Sequence, residues 1–129
     1  VYATLRRALA VLRRMGVQGH VIGQNELALY STLFETHDRA SLETFLDATI
    51  GAVTSHDRKR NTELAATLLC YFDNNQNAKT TAQRLGIHVN TVRQRLATIE
   101  DLTGHWGNAT RALELHIALR LWHLGSPAA

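Results

Sequence analysis

Residues 77–99, NAKTTAQRLGIHVNTVRQRLATI, spell a helix, a tight turn and a second helix. Asn77 suits the cap of the first helix, because its side-chain oxygen can accept an orphan amide two or three residues on. Ala82 is small where two helices must cross closely, and Leu85, Ile87, Val92, Leu96 and Ile99 are the apolar positions that hold the pair together. Gly86 follows Leu85, where a helix stops best on a residue that tolerates positive φ. His88 or Asn90 then caps the next helix. That leaves His88, Val89, Asn90, Thr91, Arg93, Gln94 and Arg95 off the buried stripe near the start of the second helix. A recognition helix carries its base-reading and phosphate-holding side chains at this end.

Periodicity sharpens the assignment. With the second helix starting near Val89, Val92, Leu96 and Ile99 fall at i, i+4 and i+7 and face a core. Asn90, Arg93, Gln94 and Ala97 then lie on the outer side, with Thr91 and Arg95 on a flank. Asn and Gln can pair with adenine edges and Arg can fork onto guanine. Thr91, Arg95 and Lys79 suit phosphate oxygens, helped by the positive dipole end of the helix. The expectation is therefore His88, Asn90, Arg93 and Gln94 toward bases, and Thr91, Arg95 and Lys79 toward phosphates. The competing reading is any short helical hairpin with a polar outer face.

Outside this stretch the composition sets bounds. A chain of 129 residues, 45% hydrophobic, supports one domain with a real core or two small ones. One proline, eight glycines and no alternating β-branched runs point to an all-α fold. The net charge of +3 and pI near 9.5 are only mildly basic. Distribution says more: from Gln76 to Ile99 the sequence holds Lys79, Arg84, Arg93 and Arg95 and no acid, and acids resume at Glu100 and Asp101. Cys70 is the single cysteine, so an intramolecular disulfide and a thiolate metal site are both excluded within one chain. Its place in LLCYF predicts a packed, inert thiol. No stretch reads as a secretory leader or as an apolar run of about 18 residues, so a cytoplasmic protein with no membrane partner is expected.

Reading from the start, 1–15 has Leu5, Ala8, Leu9 and Leu12 on one face and Arg6, Arg7, Arg13 and Arg14 mostly on the other, an amphipathic helix ended by Gly16. Residues 19–23 (GHVIG) read as a short segment, possible as a lone strand. A second helix is expected over 26–35, started by Asn25. Asp38 or Ser41 opens a third, in which Leu42, Phe45, Leu46, Thr49, Ile50 and Val53 keep the i, i+3, i+4 rhythm. The polar stretch 55–61 (SHDRKRN) is the best linker candidate, read as a loop that can keep residual helix, with its basic run read as a solvated face. A fourth helix is expected from Asn61 or Thr62 to Phe72, with Leu64, Leu68, Leu69 and Phe72 inward, ended by the turn Asp73-Asn74-Asn75-Gln76. Thr103-Gly104 ends the recognition helix, here placed at about 89–103. A last helix from Asn108 or Thr110 to Leu124 is expected to bury Leu113, Leu115, Ile117, Ala118, Leu121 and Trp122, before Gly125-Ser126-Pro127 stops it.

The run from Thr62 to Gly104 resembles the C-terminal helix-turn-helix domain of PucR/CdaR-type bacterial transcriptional regulators. Thr67-Leu68-Leu69-Cys70-Tyr71-Phe72, Asn77, Ala82 with Leu85, the HxNTVRxRL element from His88 to Leu96, and Ile99 with Leu102-Thr103-Gly104 carry the likeness. Residues 1–57 look more loosely like the tail of that family's GGDEF-like regulatory domain and a connector. The division is thus a helical segment over 1–57 and a DNA-binding domain over 58–129. The fold implied is an all-α helical bundle holding a Fis-like helix-turn-helix without a wing, preceded by an N-terminal helical segment. The resemblance implies a regulator of metabolic genes binding double-stranded DNA as a homodimer. It also implies a small-molecule effector held by an N-terminal part that precedes this piece. Two positions depart from the pattern. Val89 stands where the family often carries a basic residue, which predicts a weaker contact there. His105-Trp106-Gly107-Asn108 replaces an Asp-rich loop, which predicts altered packing against the last helix.

An enzyme is not expected, and neither a cofactor nor a metal. The seven histidines are scattered, only His116 and His123 share a helix face, and there is no Gly-rich phosphate loop, nucleophile motif or carboxylate pair. Trp106 and Trp122 read as core or interface residues rather than a stacking platform. The rival function is a helical oligomerisation or protein-interaction module that does not bind DNA. RNA ranks below both, since no aromatic stacking surface accompanies the basic residues.

Overall fold

The computed structural model describes residues 38–125, together with Ala28 and Thr32. Ala28 and Thr32 are helical, inside the helix expected over 26–35. The rest of that helix, the amphipathic helix expected over 1–15, the candidate strand at 19–23 and the stop expected after Gly125 lie outside the described residues. Among the described residues there are five α-helices and no strand, so the fold is all-α. They are α1 (Arg39–Arg60), α2 (Leu64–Asp73), α3 (Ala78–Leu85), α4 (Val89–Thr103) and α5 (Ala109–Gly125). Residues 46–120 form one compact unit, and residues 1–45 with 121–129 form a second.

In the first unit, α2 is the hub. It is short but apolar almost all round, and Leu64, Ala65, Thr67, Leu68, Leu69 and Phe72 are all buried. A helix of this kind needs partners on several sides, and α3 and α4 both pack on it and on each other. The core also takes Ile50 and Val53 from α1, Ala82 from α3, Val92 and Ile99 from α4, and Leu115, Ala118 and Leu119 from α5. Trp106, from the loop between α4 and α5, is buried and meets Phe72 edge-on at 6.2 Å and Tyr71 at 6.5 Å. The replaced loop therefore packs its indole onto α2, while Asn108 caps α5 by accepting from Thr110 N–H at 2.8 Å.

The stretch 55–61, expected as a linker, is helical to Arg60. It contains no glycine or proline to break the helix, and Arg58, Lys59 and Arg60 sit in the last turn, where the dipole favours cations. Asn61 stops the helix with φ 53°, a conformation that asparagine tolerates better than most residues. The sequence division at 57/58 thus falls inside α1. The fourth expected helix starts at Leu64 rather than at Asn61 or Thr62, because those residues make the turn. Glu63, at the N-cap position, makes no capping bond. Asp57 supplies the cap from α1: its carboxylate accepts from Leu64 N–H at 2.7 Å, Ala65 N–H at 3.0 Å and Thr62 Oγ1 at 2.6 Å.

Two expectations for α5 need correction. Leu113 is 58% exposed, because it lies on the side of the helix away from Leu115, Ala118 and Leu119. Leu119, passed over in the sequence, is fully buried, while Ile117 and Trp122 are half-buried.

Candidate nucleic-acid interface

The turn between α3 and α4 is built from local chemistry. Asn77 Oδ1 accepts from Thr80 N–H at 3.0 Å and caps α3. The Thr81 hydroxyl, fully buried, donates back to the Asn77 carbonyl at 2.7 Å. Gly86 adopts φ 69°. Its N–H donates to the Gln83 carbonyl at 3.3 Å and Ile87 N–H donates to the Ala82 carbonyl at 3.0 Å. This paired arrangement consumes two carbonyls that the end of α3 would otherwise leave unsatisfied. His88 then caps α4, its Nδ1 accepting from Asn90 N–H at 3.0 Å. An accepting Nδ1 places the proton of the neutral ring on Nε2.

On α4 the exposed residues are Asn90, Arg93, Gln94, Ala97 and Asp101, one face at helical spacing, and the buried ones are Val92 and Ile99. Leu85, Ile87 and Leu96 are half-buried, lining the junction rather than filling its centre. Arg93 Nη1 lies 3.5 Å from Asn90 Oδ1, so the two exposed polar groups meet one turn apart. His88 is exposed, and Val89 and Thr91 are half-buried at the start of the helix. Lys79 is exposed in the first turn of α3. The structure thus places seven of the eight expected site residues around the start of the second helix, with Lys79 on the first. Asn90, Arg93 and Gln94 share one outer face.

Arg95 is placed differently from a simple flank cation. Its Nη1 donates at 3.0 Å to Thr67 Oγ1 on α2, and the side chain is half-buried. Thr67 is fully buried and donates its own proton to the Glu63 carbonyl at 2.7 Å. Arg95 therefore ties α4 to α2. A guanidinium has five N–H donors, so this tie leaves others for an outside acceptor.

A second polar cluster was not anticipated. Asp73, at the end of α2, accepts from Arg120 Nη2 at 2.9 Å and pairs with His116 Nε2 at 3.0 Å. The His116 ring stacks on Phe72 at 5.3 Å. Burial pushes the Asp73 carboxyl up, but the His116 hydrogen bond and the Arg120 guanidinium outweigh it and hold the group below its ordinary value. His116 and Arg120 are one turn apart on α5, a spacing visible in the sequence. Their partner 43 residues before His116 is not. Cys70 is half-buried, and burial followed by the Asp73 charge raises its thiol pKa. Among the described residues no group of three or more histidine, cysteine or acidic side chains could hold a metal ion. No helix among them is long and apolar enough to cross a membrane.

A short helix joined through a glycine-ended turn to a second helix whose first turns present polar side chains, both packed on a third, defines a helix-turn-helix domain. The sequence model of the PucR C-terminal helix-turn-helix domain matches residues 64–121. No curated protein and no solved structure matches the chain significantly.

Proposed function

We propose that this domain binds double-stranded DNA sequence-specifically, with α4 in the major groove, as the output domain of a bacterial transcriptional regulator of metabolic genes. The carrying observation is the outer face of α4. Asn90, Arg93 and Gln94 lie together, exposed, at the end of a helix whose backbone position is set by the Gly86 turn and the His88 cap. Recognition helices present base-reading groups at this end. His88, Asn90, Arg93 and Gln94 are assigned to bases. Thr91, Arg95 and Lys79 are assigned to phosphates, and Val89 to the apolar edge of the contact. Since the His88 Nδ1 is used by the cap, its contact runs through the Nε2 proton.

One helix-turn-helix unit offers a small footprint. The proposal therefore includes a homodimer that sets two half-sites roughly 34 Å apart, one turn of the duplex. It also includes a small-molecule effector bound by residues ahead of this domain, and action in the cytoplasm. The division into a helical regulatory tail over 1–57 and a DNA-binding part over 58–129 belongs to the same proposal, and no catalytic step is assigned.

Titration against duplex DNA at two salt concentrations tests the reading. A DNA binder loses affinity steeply as salt rises, because each neutralised phosphate releases counterions. Arg93→Ala and Gln94→Ala are expected to change sequence preference, each by about 1–3 kcal/mol at its base pair. Arg95→Ala is expected to weaken all duplexes about equally. A folded protein that ignores duplex DNA at low salt and forms a stable oligomer would instead support an interaction module, for which the exposed Leu113 on α5 offers a contact.

A further inference from the structure

Arg58, Lys59 and Arg60 form the last turn of α1 and precede the segment matched to the family. All three are exposed, and no carboxylate among the described residues pairs with any of them. A basic run on a helix is usually just solvated. What distinguishes this one is where the fold puts it.

On α4, Arg95 donates to Thr67 Oγ1 in the first turn of α2, and the Thr67 hydroxyl in turn bonds the Glu63 carbonyl just ahead of that helix. The N-terminal half of α4, which carries the base-reading face, is thereby tied to the N-terminal end of α2. Asp57 fastens the end of α1 to that same place through the Leu64 and Ala65 amides. The tie is short: Thr62 also bonds Asp57 through both its amide, at 3.2 Å to the carbonyl, and its hydroxyl. Arg58, Lys59 and Arg60 are consequently held beside the end of α2 to which Arg95 is also bonded, with Glu63 the one exposed acid in the connecting turn.

We infer that Arg58, Lys59 and Arg60 form a second phosphate-binding site, which grips the DNA backbone beside the stretch entered by α4 and lengthens the contact beyond the helix-turn-helix itself. The inference rests on the DNA-binding reading above. It adds affinity and register without base information, since phosphate contacts position a protein but do not specify sequence.

The test measures binding of the full chain to a random-sequence duplex of about three helical turns, and to a duplex selected from a random pool, across a salt series. The triple variant Arg58→Gln, Lys59→Gln, Arg60→Gln is expected to reduce the slope of log affinity against log salt by about two to three units. At physiological salt that corresponds to a loss of roughly tenfold to a hundredfold, equal for both duplexes. Hydroxyl-radical protection is expected to shorten on one flank only. The charge-keeping variant Arg58→Lys, Arg60→Lys is expected to keep the wild-type slope, and circular dichroism confirms that both variants fold. Wild-type slope, affinity and protection in the folded triple variant would overturn this inference and leave DNA binding standing. Failure of the wild-type chain to bind either duplex would overturn both.

Discussion

Gly86 shows how much one residue decides. Its φ of 69° is nearly strain-free for glycine, and an added Cβ would meet nothing within 4 Å. Gly86→Ala is therefore expected to cost only the backbone term, about 1–2 kcal/mol. Urea unfolding should show a lower midpoint with an unchanged slope, and a shift in slope would mean that the turn itself had changed. Cys70 is the opposite kind of residue, silent by design of its surroundings. Burial and then the Asp73 charge raise the pKa of its thiol, outweighing the Arg84 charge and the hydrogen bond that the Asn74 amide donates to the sulfur at 3.4 Å, which lower it. Little thiolate forms near neutrality, so alkylation by iodoacetamide at pH 7.5 is expected to be slow in the folded protein and to accelerate sharply in urea.

At the scale of elements, the helices depend on caps from outside themselves. α2 has no cap of its own and takes one from Asp57 on α1. Asp57→Ala is expected to destabilise the domain by about 1–2 kcal/mol, measured by thermal unfolding, and to loosen the hold on the basic turn at 58–60. Asp57→Asn, which keeps one acceptor oxygen, should recover part of the loss. Ile99, fully buried on α4, belongs to the same scale. Ile99→Ala is expected to cost about 2–5 kcal/mol, enough to leave a unit this small largely unfolded in a melting experiment. Most of these elements were legible in the sequence. The α3 cap at Asn77, the stop at Gly86 and the span of α4 all follow from residue types at fixed offsets. The stretch 55–61 is helical to Arg60 yet reads as a linker with residual helix, because polar composition alone does not separate a loop from the solvated end of a long helix. Nothing local to SHDRKRN says that Asp57 will be needed seven residues later.

For the molecule as a whole, the Asp73–His116–Arg120 cluster joins the end of α2 to α5 and predicts how the domain responds to acid. The folded carboxyl of Asp73 lies below its ordinary value, so its contribution to stability is complete above about pH 4. That contribution is lost as pH falls through the lower folded value. Unfolding midpoints are expected to drop in this acid range for the wild-type chain and to drop less steeply for Asp73→Asn. An unaltered acid profile in the variant would mean that other carboxyls govern the response.

The sequence by itself determined the helices of the bihelical unit, their order, and the face of α4 that is left polar. Each of these depends on periods of three and four residues and on capping groups within one turn. It also carried the family likeness that the matched segment bears out. Only the tertiary structure decided that Arg95 is shared with a buried threonine on α2, that Asp73 is held by α5, and that Asp57 fastens the basic turn of α1 to the start of α2. Those arrangements pair residues up to 43 positions apart, and side-chain types at such distances carry no spacing from which their meeting can be read. Packing around α2 sets them, because a short helix buried on most of its surface fixes the place of every neighbour.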